Sequence, residues 1–238
     1  MKLCVIPARG GSKRIPRKNI HEFCGKPMIA YSICAAIDSG LFDTVMVSTD
    51  DDEIADIAIQ FGAKVPFFRS LDNSDDYSGT GDVMYEVISE YESSGSFFSI
   101  ACCIYATAPL ITVRRLQEAF DLLTKESYDV VFPVGRYASP ILRSYKVDEQ
   151  YAAVMNFPEF DAKRSQDLLD SYFDAGQFYW FYPNQLKKLR NKNSFGEKKG
   201  AVILEEYEVQ DIDQPSDWEM AELKYMYMQS KYPSEAKL

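Results

Sequence analysis

Five basic residues surround a Gly-Gly pair directly behind the first apolar run of the chain. In the stretch IPARGGSKRIPRKNI, residues 6–20, Gly10 and Gly11 lack side chains, so successive backbone N–H groups can turn toward an anion. Ser12 adds a hydroxyl donor that suits phosphate oxygens. The sequence therefore predicts an anion-binding loop, and the alternative is a solvated turn with scattered charge. The basic residues are Arg9, Lys13, Arg14, Arg17 and Lys18.

Two well-known phosphate-binding motifs do not fit this loop. The P-loop requires Gly-Lys followed by Ser or Thr, whereas Pro27 follows Lys26 here. The dinucleotide fingerprint requires a third glycine soon after the pair, and residues 12–19 contain none. If the loop binds phosphate, it does so with a different motif.

An acidic pair near the other end of the chain is a candidate metal site. Asp211 and Asp213 lie two positions apart at the end of a predicted strand, so period two points both carboxylates to one face. The surrounding stretch 201–222 holds eight acidic residues and no Lys or Arg. Two carboxylates with open positions suit Mg²⁺, which keeps waters and takes phosphate oxygens as further ligands. The alternative is an acidic strand end that caps the following helix.

The elements that must position these residues follow an alternating pattern. Strands are predicted at 2–8, 43–49, 64–69, 96–106 and 128–134, and helices at 27–40, 51–62, 81–95 and 112–127. This alternation indicates an α/β fold of three layers, with a mostly parallel, Rossmann-like sheet covered by helices on both faces. Ligands of such sheets gather outside the carboxyl ends of the strands, where the basic loop lies.

The alternation stops after residue 134. Residues 137–172 read as short antiparallel strands and loops, which indicates a small subdomain inserted into a single domain spanning 1–238. Strands at 175–183 and 200–212, a short helix at 184–191 and a final helix at 215–232 complete the prediction.

Composition limits the classes of partner. The chain has 238 residues, 46% of them hydrophobic, and a formal net charge of −10, which argues against nucleic acid and anionic membranes as partners. No stretch of about 18 apolar residues and no signal-peptide core are present, so we expect a cytoplasmic protein. Five cysteines without CxxC spacing predict buried, reduced thiols rather than a metal site.

Several blocks together carry a resemblance to a known family. IPARGGSKRIPRKNI resembles the N-terminal signature of the CMP-N-acetylneuraminate synthetase family, the cytidylyltransferases that activate sialic-acid-like sugars. GKPMIAYSI, VMVSTDDDEIA, YATAPLI and VQDID follow in the family's order and cover nearly the whole chain. YATAPLI and DAGQFYW are most similar to the members that act on pseudaminic acid. Sialic acid enzymes more often carry Gln-Pro where this chain has Tyr105 and Ala106.

The resemblance implies a nucleotide-diphospho-sugar transferase fold and a Mg²⁺-dependent reaction. CMP would pass from CTP to the anomeric hydroxyl of a nine-carbon 2-keto sugar acid, with release of pyrophosphate, and pseudaminic acid is the sugar that we expect for this chain. It also implies a homodimer in which residues 137–172 form the dimerisation arm. The alternatives are a CMP-N-acetylneuraminate or legionaminate synthetase and, more distantly, a non-catalytic protein that binds CTP or a nucleotide sugar.

The family's motifs assign roles to individual positions. The residues expected at the nucleotide are Ala8, Arg9, Gly10, Gly11, Ser12, Lys18, Asn19, Arg69, Asp76, Ser78 and Thr80. Those expected in catalysis are Arg9, Lys18, Asp211 and Asp213, the last two as metal ligands. Those expected at the sugar are Tyr105, Thr107, Asp174, Gln177 and Tyr179.

Overall fold

Strands and helices alternate along the chain in the computed structural model, which describes residues 1–74, 78–189 and 194–232. The strands are β1 (Lys2–Pro7), β2 (Glu22–Phe23), β3 (Lys26–Pro27), β4 (Thr44–Ser48), β5 (Ile100–Ile104), β6 (Val130–Arg136), β7 (Tyr145–Val147), β8 (Ala153–Met155), β9 (Tyr172–Asp174), β10 (Phe178–Phe181) and β11 (Lys199–Leu204). The helices are α1 (Met28–Asp38), α2 (Asp52–Gln60), α3 (Thr80–Ser93), α4 (Val113–Lys125), α5 (Pro183–Lys188) and α6 (Pro215–Lys231).

The central sheet is mixed, with the spatial order β11-β6-β10-β5-β1-β4. β1 pairs in parallel with β4 and β5, and β11 pairs in parallel with β6. β10 is antiparallel to both of its neighbours, β5 and β6, and β9 pairs antiparallel with the end of β6. The predicted α/β class is confirmed, but the antiparallel strand within the sheet was not foreseen.

Helices cover both faces of the sheet, as the three-layer prediction requires. Cys102 and Cys103 of β5 point to opposite faces and belong to two separate cores. The Cys102 core packs against α1, α2 and α4, and the Cys103 core packs against α3 and α5. Each fully buried aliphatic side chain in these cores contributes about 1.5–3 kcal/mol relative to exposure. Two of the five cysteines differ from the prediction of buried thiols, since Cys24 is exposed and Cys34 is partly exposed.

Two predicted strands differ most from the sequence analysis, because one does not form and the other ends early. The stretch 64–69 makes an isolated bridge between Lys64 and Met46 and forms no strand, because Pro66 lacks the N–H that a continued ladder needs. The strand predicted at 200–212 ends at Leu204, and a 3-10 turn follows at Glu206–Glu208. Asp211 and Asp213 therefore lie in a loop rather than at a strand end.

The segment between β6 and β9, called the arm below, forms a two-stranded sheet separate from the central one. The arm, residues 137–171, contains the antiparallel hairpin of β7 and β8, which confirms the predicted short antiparallel strands. Apolar side chains of the hairpin and its surroundings are exposed; they are Tyr137, Ile141, Tyr145, Val147, Tyr151, Val154, Phe157 and Leu169.

Polar residues at helix starts fix the loops beside the sheet. Asp51 caps α2, and its carboxylate accepts the Ile54 N–H. At α6 the capping side chains are Gln214 and Asp217. Among the helices in the described ranges, none has the length and hydropathy needed to cross a membrane.

Candidate active site

A cleft of about 310 Å³ opens beyond the carboxyl ends of β1 and β5. This is the edge of the sheet where the sequence predicts ligand binding. The cleft is lined by residues expected at the nucleotide and by two expected at the sugar: Arg9, Ser12, Lys18, Asn19, Arg69, Ser78, Thr80, Tyr105 and Thr107. Sequence reasoning missed Asn73 and Val83, which also line it and belong to no motif. Asp76 lies outside the described residues.

Two adjacent aspartates after β4 hold the basic loop. The Gly10 N–H donates to Asp50 Oδ1 at 2.9 Å, so this amide is engaged within the protein rather than aimed at the cleft. The Arg17 guanidinium donates to Asp51 Oδ2 and Oδ1 at 2.5 and 2.9 Å, and it also contacts Glu53. The hydrogen bond from Arg17 lowers the pKa of the Asp51 carboxyl below its ordinary value. Arg17 therefore anchors the loop, although the sequence groups it with the phosphate-binding cations.

The two glycines of the loop differ in what surrounds them. A Cβ on Gly10 would lie 2.7 Å from Asp51 Oδ2, so no side chain fits there without moving the Asp51 contact. A Cβ on Gly11 would meet no atom within 4 Å. Ala8 is buried, and its N–H donates to the Ser48 carbonyl at 2.9 Å, so its contribution to the site is the position of the backbone.

Lys18 joins the basic loop to the acidic loop. Its Nζ donates to the Ile212 carbonyl at 2.6 Å and lies 3.7 Å from Asp213 Oδ1. Arg14 Nη2 pairs with the same Asp213 oxygen at 2.7 Å. Desolvation lowers the pKa of Lys18, and the negative charges of Asp213 and Asp211 oppose that shift. The structure therefore brings together the two features that the sequence places about 200 residues apart.

The acidic loop still presents both carboxylates away from the core. Ile212 between them is fully buried, whereas Asp211 is exposed and Asp213 is partly exposed. Desolvation raises the pKa of the Asp211 carboxyl, and the like charge of Asp213 adds to the rise. Within the described ranges no group of three or more His, Cys, Asp or Glu residues forms a metal cluster. A cation here would therefore rely on two protein carboxylates, with water and phosphate as its other ligands.

Two buried polar side chains support the floor of the cleft. The Asn19 amide donates to the Arg9 carbonyl at 2.9 Å, which ties the two ends of the basic loop together. Arg69 is 8% exposed, and its Nε donates to Ser48 Oγ at 3.1 Å. Desolvation lowers the pKa of Arg69, and the charges of Asp50 and Glu86 oppose this. The guanidinium is thus oriented by the end of β4.

A second cleft of about 270 Å³ shares Thr80 and Tyr105 with the first. Thr80 Oγ1 lies 3.2 Å from the Tyr105 hydroxyl, and the Tyr179 hydroxyl donates to the Asp174 carboxylate at 2.9 Å. Burial raises the pKa of both tyrosines, so both hydroxyls stay protonated at neutral pH. The Tyr179 ring stacks between two aromatic residues that sequence reasoning missed, Phe132 and Phe195.

Gln177 departs from its expected place at the sugar. Its side chain is buried at 3% exposure, and its amide donates to the Glu208 carbonyl at 2.5 Å. The main-chain carbonyl of Gln177 accepts the Tyr105 N–H at 2.8 Å. Neither of the two clefts is lined by Gln177 in the described residues, and its side chain makes an internal contact instead.

A third cleft of about 700 Å³ lies at the base of the arm and extends to Asp211. Arg136 is among its lining residues, and its Nη1 lies 3.3 Å from Asp170 Oδ2. Arg143 of the arm donates from Nη1 to Ser165 Oγ at 3.4 Å. Both arginines are thus engaged by side chains of the inserted segment.

Comparison with known proteins gives consistent results along nearly the whole chain. Residues 3–232 match the model of the family described as Cytidylyltransferase. The chain is 39% identical to the pseudaminic acid cytidylyltransferase of Campylobacter jejuni over 94% of this chain and 95% of that protein. It is 31% identical to the CMP-N,N'-diacetyllegionaminic acid synthase of Legionella pneumophila over 92% of this chain and 94% of that protein.

A solved structure of a CMP:2-keto-3-deoxy-manno-octonic acid synthetase in complex with CTP has a similar fold. It superimposes with a TM-score of 0.67 at 19% identity, covering 96% of this chain and 99% of that one. At this level of identity the similarity establishes the architecture of the sheet and its helices.

Proposed function

Because the chain belongs to the cytidylyltransferase family, we propose that it transfers CMP from CTP to the anomeric hydroxyl of a nine-carbon 2-keto sugar acid and releases pyrophosphate. The observation that carries the proposal is the convergence of the basic and acidic loops at Lys18. A cationic surface beside two carboxylates suits a metal-bound polyphosphate and no uncharged ligand. We expect the reaction in the cytoplasm, where CTP is available.

The sugar is pseudaminic acid in our proposal. Identity to the pseudaminic acid enzyme of Campylobacter jejuni exceeds identity to the legionaminic acid enzyme of Legionella pneumophila over similar coverage. The second cleft supports a polyhydroxylated sugar because it combines the hydroxyls of Tyr105 and Tyr179 and the Asp174 carboxylate, which can hydrogen-bond to sugar hydroxyls, with an aromatic wall. It adjoins the first cleft through Thr80, so a sugar there would lie next to the nucleotide.

The protein's own part in the reaction is to position the reactants and to stabilise charge. Attack of the sugar hydroxyl on the α-phosphorus adds negative charge to its oxygens while pyrophosphate leaves. Lys18 and Arg9 line the cleft where that charge would develop, and preorganised cations of this kind lower the barrier without reorganisation. The Arg17 contact with Asp51 keeps the loop in place before substrate binds.

The acidic loop fits Mg²⁺ in its donor set. Asp211 and Asp213 supply hard oxygen ligands, and a cation between them would relieve the repulsion that raises the Asp211 pKa. When bound, Mg²⁺ would supply Lewis-acid stabilisation of the phosphate oxygens. The Lys18 contact to the Ile212 carbonyl holds the loop that carries both carboxylates.

A homodimer is the second part of the proposal. The exposed apolar side chains of the arm, among them Tyr145, Val147, Tyr151 and Val154, form a surface that a single protomer leaves open to water. Several exposed apolar side chains in one short segment are typical of a protein interface. We propose that the arm packs against a second copy of the chain.

The decisive experiment measures pyrophosphate release from CTP with Mg²⁺. The acceptors are pseudaminic, legionaminic and N-acetylneuraminic acids and an eight-carbon keto-acid sugar. We expect release with pseudaminic acid and loss of release when EDTA removes the metal. Release with another acceptor alone would correct the sugar and keep the reaction. Binding of CTP without release for any acceptor would favour a nucleotide-binding protein without catalysis.

A further inference from the structure

The segment that carries the acidic pair is held by side chains from several distant elements. β11 ends at Leu204, and beyond the short turn Glu206–Glu208 residues 209–213 have no strand partner. Backbone groups that lack a ladder must find other partners. Here the donors come from the basic loop, from α4, from the residue before β10 and from α6.

Glu208 is the most enclosed residue of this segment, with 1% exposure. Its carboxylate accepts Arg115 Nη2 at 2.6 Å, Arg114 Nη2 at 3.1 Å and the Glu205 N–H at 2.9 Å. Arg115 is itself buried at 8% exposure. A buried carboxylate is tolerated only when it is paired and hydrogen-bonded, and Glu208 meets both conditions.

The main chain of the same residue is fixed by Gln177. The side-chain amide of Gln177 donates to the main-chain carbonyl of Glu208 at 2.5 Å, and the main-chain carbonyl of Gln177 accepts the Tyr105 N–H at 2.8 Å. One step further along, Lys224 of α6 donates to the Val209 carbonyl at 2.6 Å. Gln177 thereby links the acidic segment to a tyrosine that lines both clefts.

The anchored residue lies close to the carboxylates along the chain. Asp211 is three residues beyond Glu208, which is at most about 10 Å of extended chain. A displacement of Glu208 would therefore reach Asp211 with little slack. The Lys18 bond to the Ile212 carbonyl holds the other end of this stretch.

We infer that Glu208, fixed by Arg115 and Gln177, positions Asp211 and Asp213 to bind the metal that accompanies CTP. The inference rests on the proposed function and gives Gln177 a different role from the sugar contact that its sequence suggests. All three are positioning residues, because they line neither the first nor the second cleft and act through Asp211 and Asp213.

Gln177→Leu tests the inference with little change in side-chain volume. We expect the Mg²⁺ concentration for half-maximal pyrophosphate release to rise about tenfold, the usual scale for loss of a group that orients metal ligands. The KM for the sugar should stay near the wild-type value. A raised sugar KM with unchanged Mg²⁺ dependence would overturn the inference and restore the sugar contact.

Gln185→Leu is the matched control. Gln185 of α5 donates its amide to Asp129 Oδ1 at 3.0 Å in a partly buried setting, away from the clefts. This variant loses a comparable hydrogen bond and should keep the wild-type Mg²⁺ dependence. If it shifts that dependence as much as Gln177→Leu does, general loosening explains the effect and the inference fails.

A direct binding measurement separates the inference from activity. Mn²⁺ is titrated into the protein without nucleotide, and loss of the free-ion EPR signal reports binding. The Asp211→Asn variant measures how much Mn²⁺ binds at other acidic sites of the protein. We expect Gln177→Leu and Arg115→Lys to bind Mn²⁺ more weakly than wild type. Wild-type affinity in both would overturn the inference, and wild-type affinity in Asp211→Asn would overturn the metal site as well.

Discussion

At the scale of single residues, Lys18 has the most distinctive surroundings in the candidate site. It touches the acidic loop through the Ile212 carbonyl and lines the cleft through which CTP would approach. Its neighbours on the acidic side are Asp211 and Asp213, whose negative charges favour its charged form. The side chain is thus held between the two loops before any substrate arrives.

We expect Lys18→Ala to lower kcat for pyrophosphate release by about 10²–10³, the usual scale for loss of one preorganised transition-state donor. Initial rates at saturating CTP, sugar and Mg²⁺ measure the effect. Lys125→Ala on α4 is the control, because Lys125 is 71% exposed and pairs with Asp121 far along the sequence from the site. Wild-type kcat in Lys18→Ala would contradict the assignment.

Asp211→Asn tests the electrostatics of the acidic loop through stability. Because partial desolvation and the like charge of Asp213 raise the folded-state pKa of the Asp211 carboxyl above the ordinary 3.8, ionised Asp211 destabilises the folded protein at neutral pH. The cost is present above the raised pKa and disappears as pH falls toward 3.8. We therefore expect the metal-free Asn variant to be more stable than wild type near pH 7, with a difference that shrinks on acidification.

Urea unfolding of both proteins in EDTA across this pH range gives the measurement. A variant less stable than wild type at pH 7 would show that Asp211 makes net favourable contacts instead. The same variant should lose Mg²⁺-dependent pyrophosphate release, so a gain in stability would accompany a loss of function.

Sequence could identify the charged residues of the site but not their separate roles. Arg17 and Lys18 are adjacent cations in one basic stretch, yet Arg17 pairs with Asp51 while Lys18 contacts the acidic loop. Spacing along the chain gives no sign of this difference, because Asp51 approaches Arg17 only after β1 and β4 pair. The internal contact of Gln177 is hidden from the sequence for the same reason, since its partner Glu208 is brought to it by the fold.

At the scale of elements, the connection between the basic loop and the start of α2 depends on close packing at one glycine. A Cβ on Gly10 would collide with Asp51, which both caps α2 and binds Arg17. Gly11 is next in sequence and has open space around it. The two positions therefore form a natural pair for a test.

We expect Gly10→Ala to reduce the free energy of unfolding by about 1–3 kcal/mol, the cost of forcing extra volume into a packed site. Gly11→Ala should change it by less than about 0.5 kcal/mol. Urea unfolding of the two variants provides the comparison. Equal losses in both would show that backbone freedom, rather than contact with Asp51, explains the glycine at position 10.

The elements that sequence predicts well are those with strong local signals. β1, β4, β5 and β6 and helices α1 to α4 lie within a few residues of their predicted bounds, because apolar runs and amphipathic periods are properties of the chain itself. The direction of β10 depends on which strands it joins, and no local pattern encodes that. The strand predicted to reach residue 212 instead ends at Leu204, where side-chain contacts replace the ladder.

At the scale of the whole molecule, the arm is the clearest feature that a single protomer leaves unexplained. Every residue of β7 and most of β8 is exposed, although several are apolar. Such a hairpin gains little stability from its own packing. A second copy of the chain would supply the missing contacts.

We expect Val154→Asp to raise the dissociation constant of the homodimer about 100-fold or more. An uncompensated charge in a buried interface costs about 3 kcal/mol or more, and each 1.4 kcal/mol is a factor of ten. Sedimentation velocity over a range of protein concentrations measures the effect. Ser93→Asp on α3 adds the same charge outside the arm and should leave the association unchanged; a monomeric wild type would reject the dimer.

The position of β10 has a consequence for the order in which the protein can fold during synthesis. β5 and β6 leave the ribosome well before β10, which must insert between them. Until residues 178–181 appear, both strands present unpaired edges, and the second cleft lacks Tyr179 from its wall. Unpaired edges are prone to association with other chains. We therefore expect translation arrest before β10 to yield an aggregation-prone chain that depends on chaperones until the last quarter of the sequence is made.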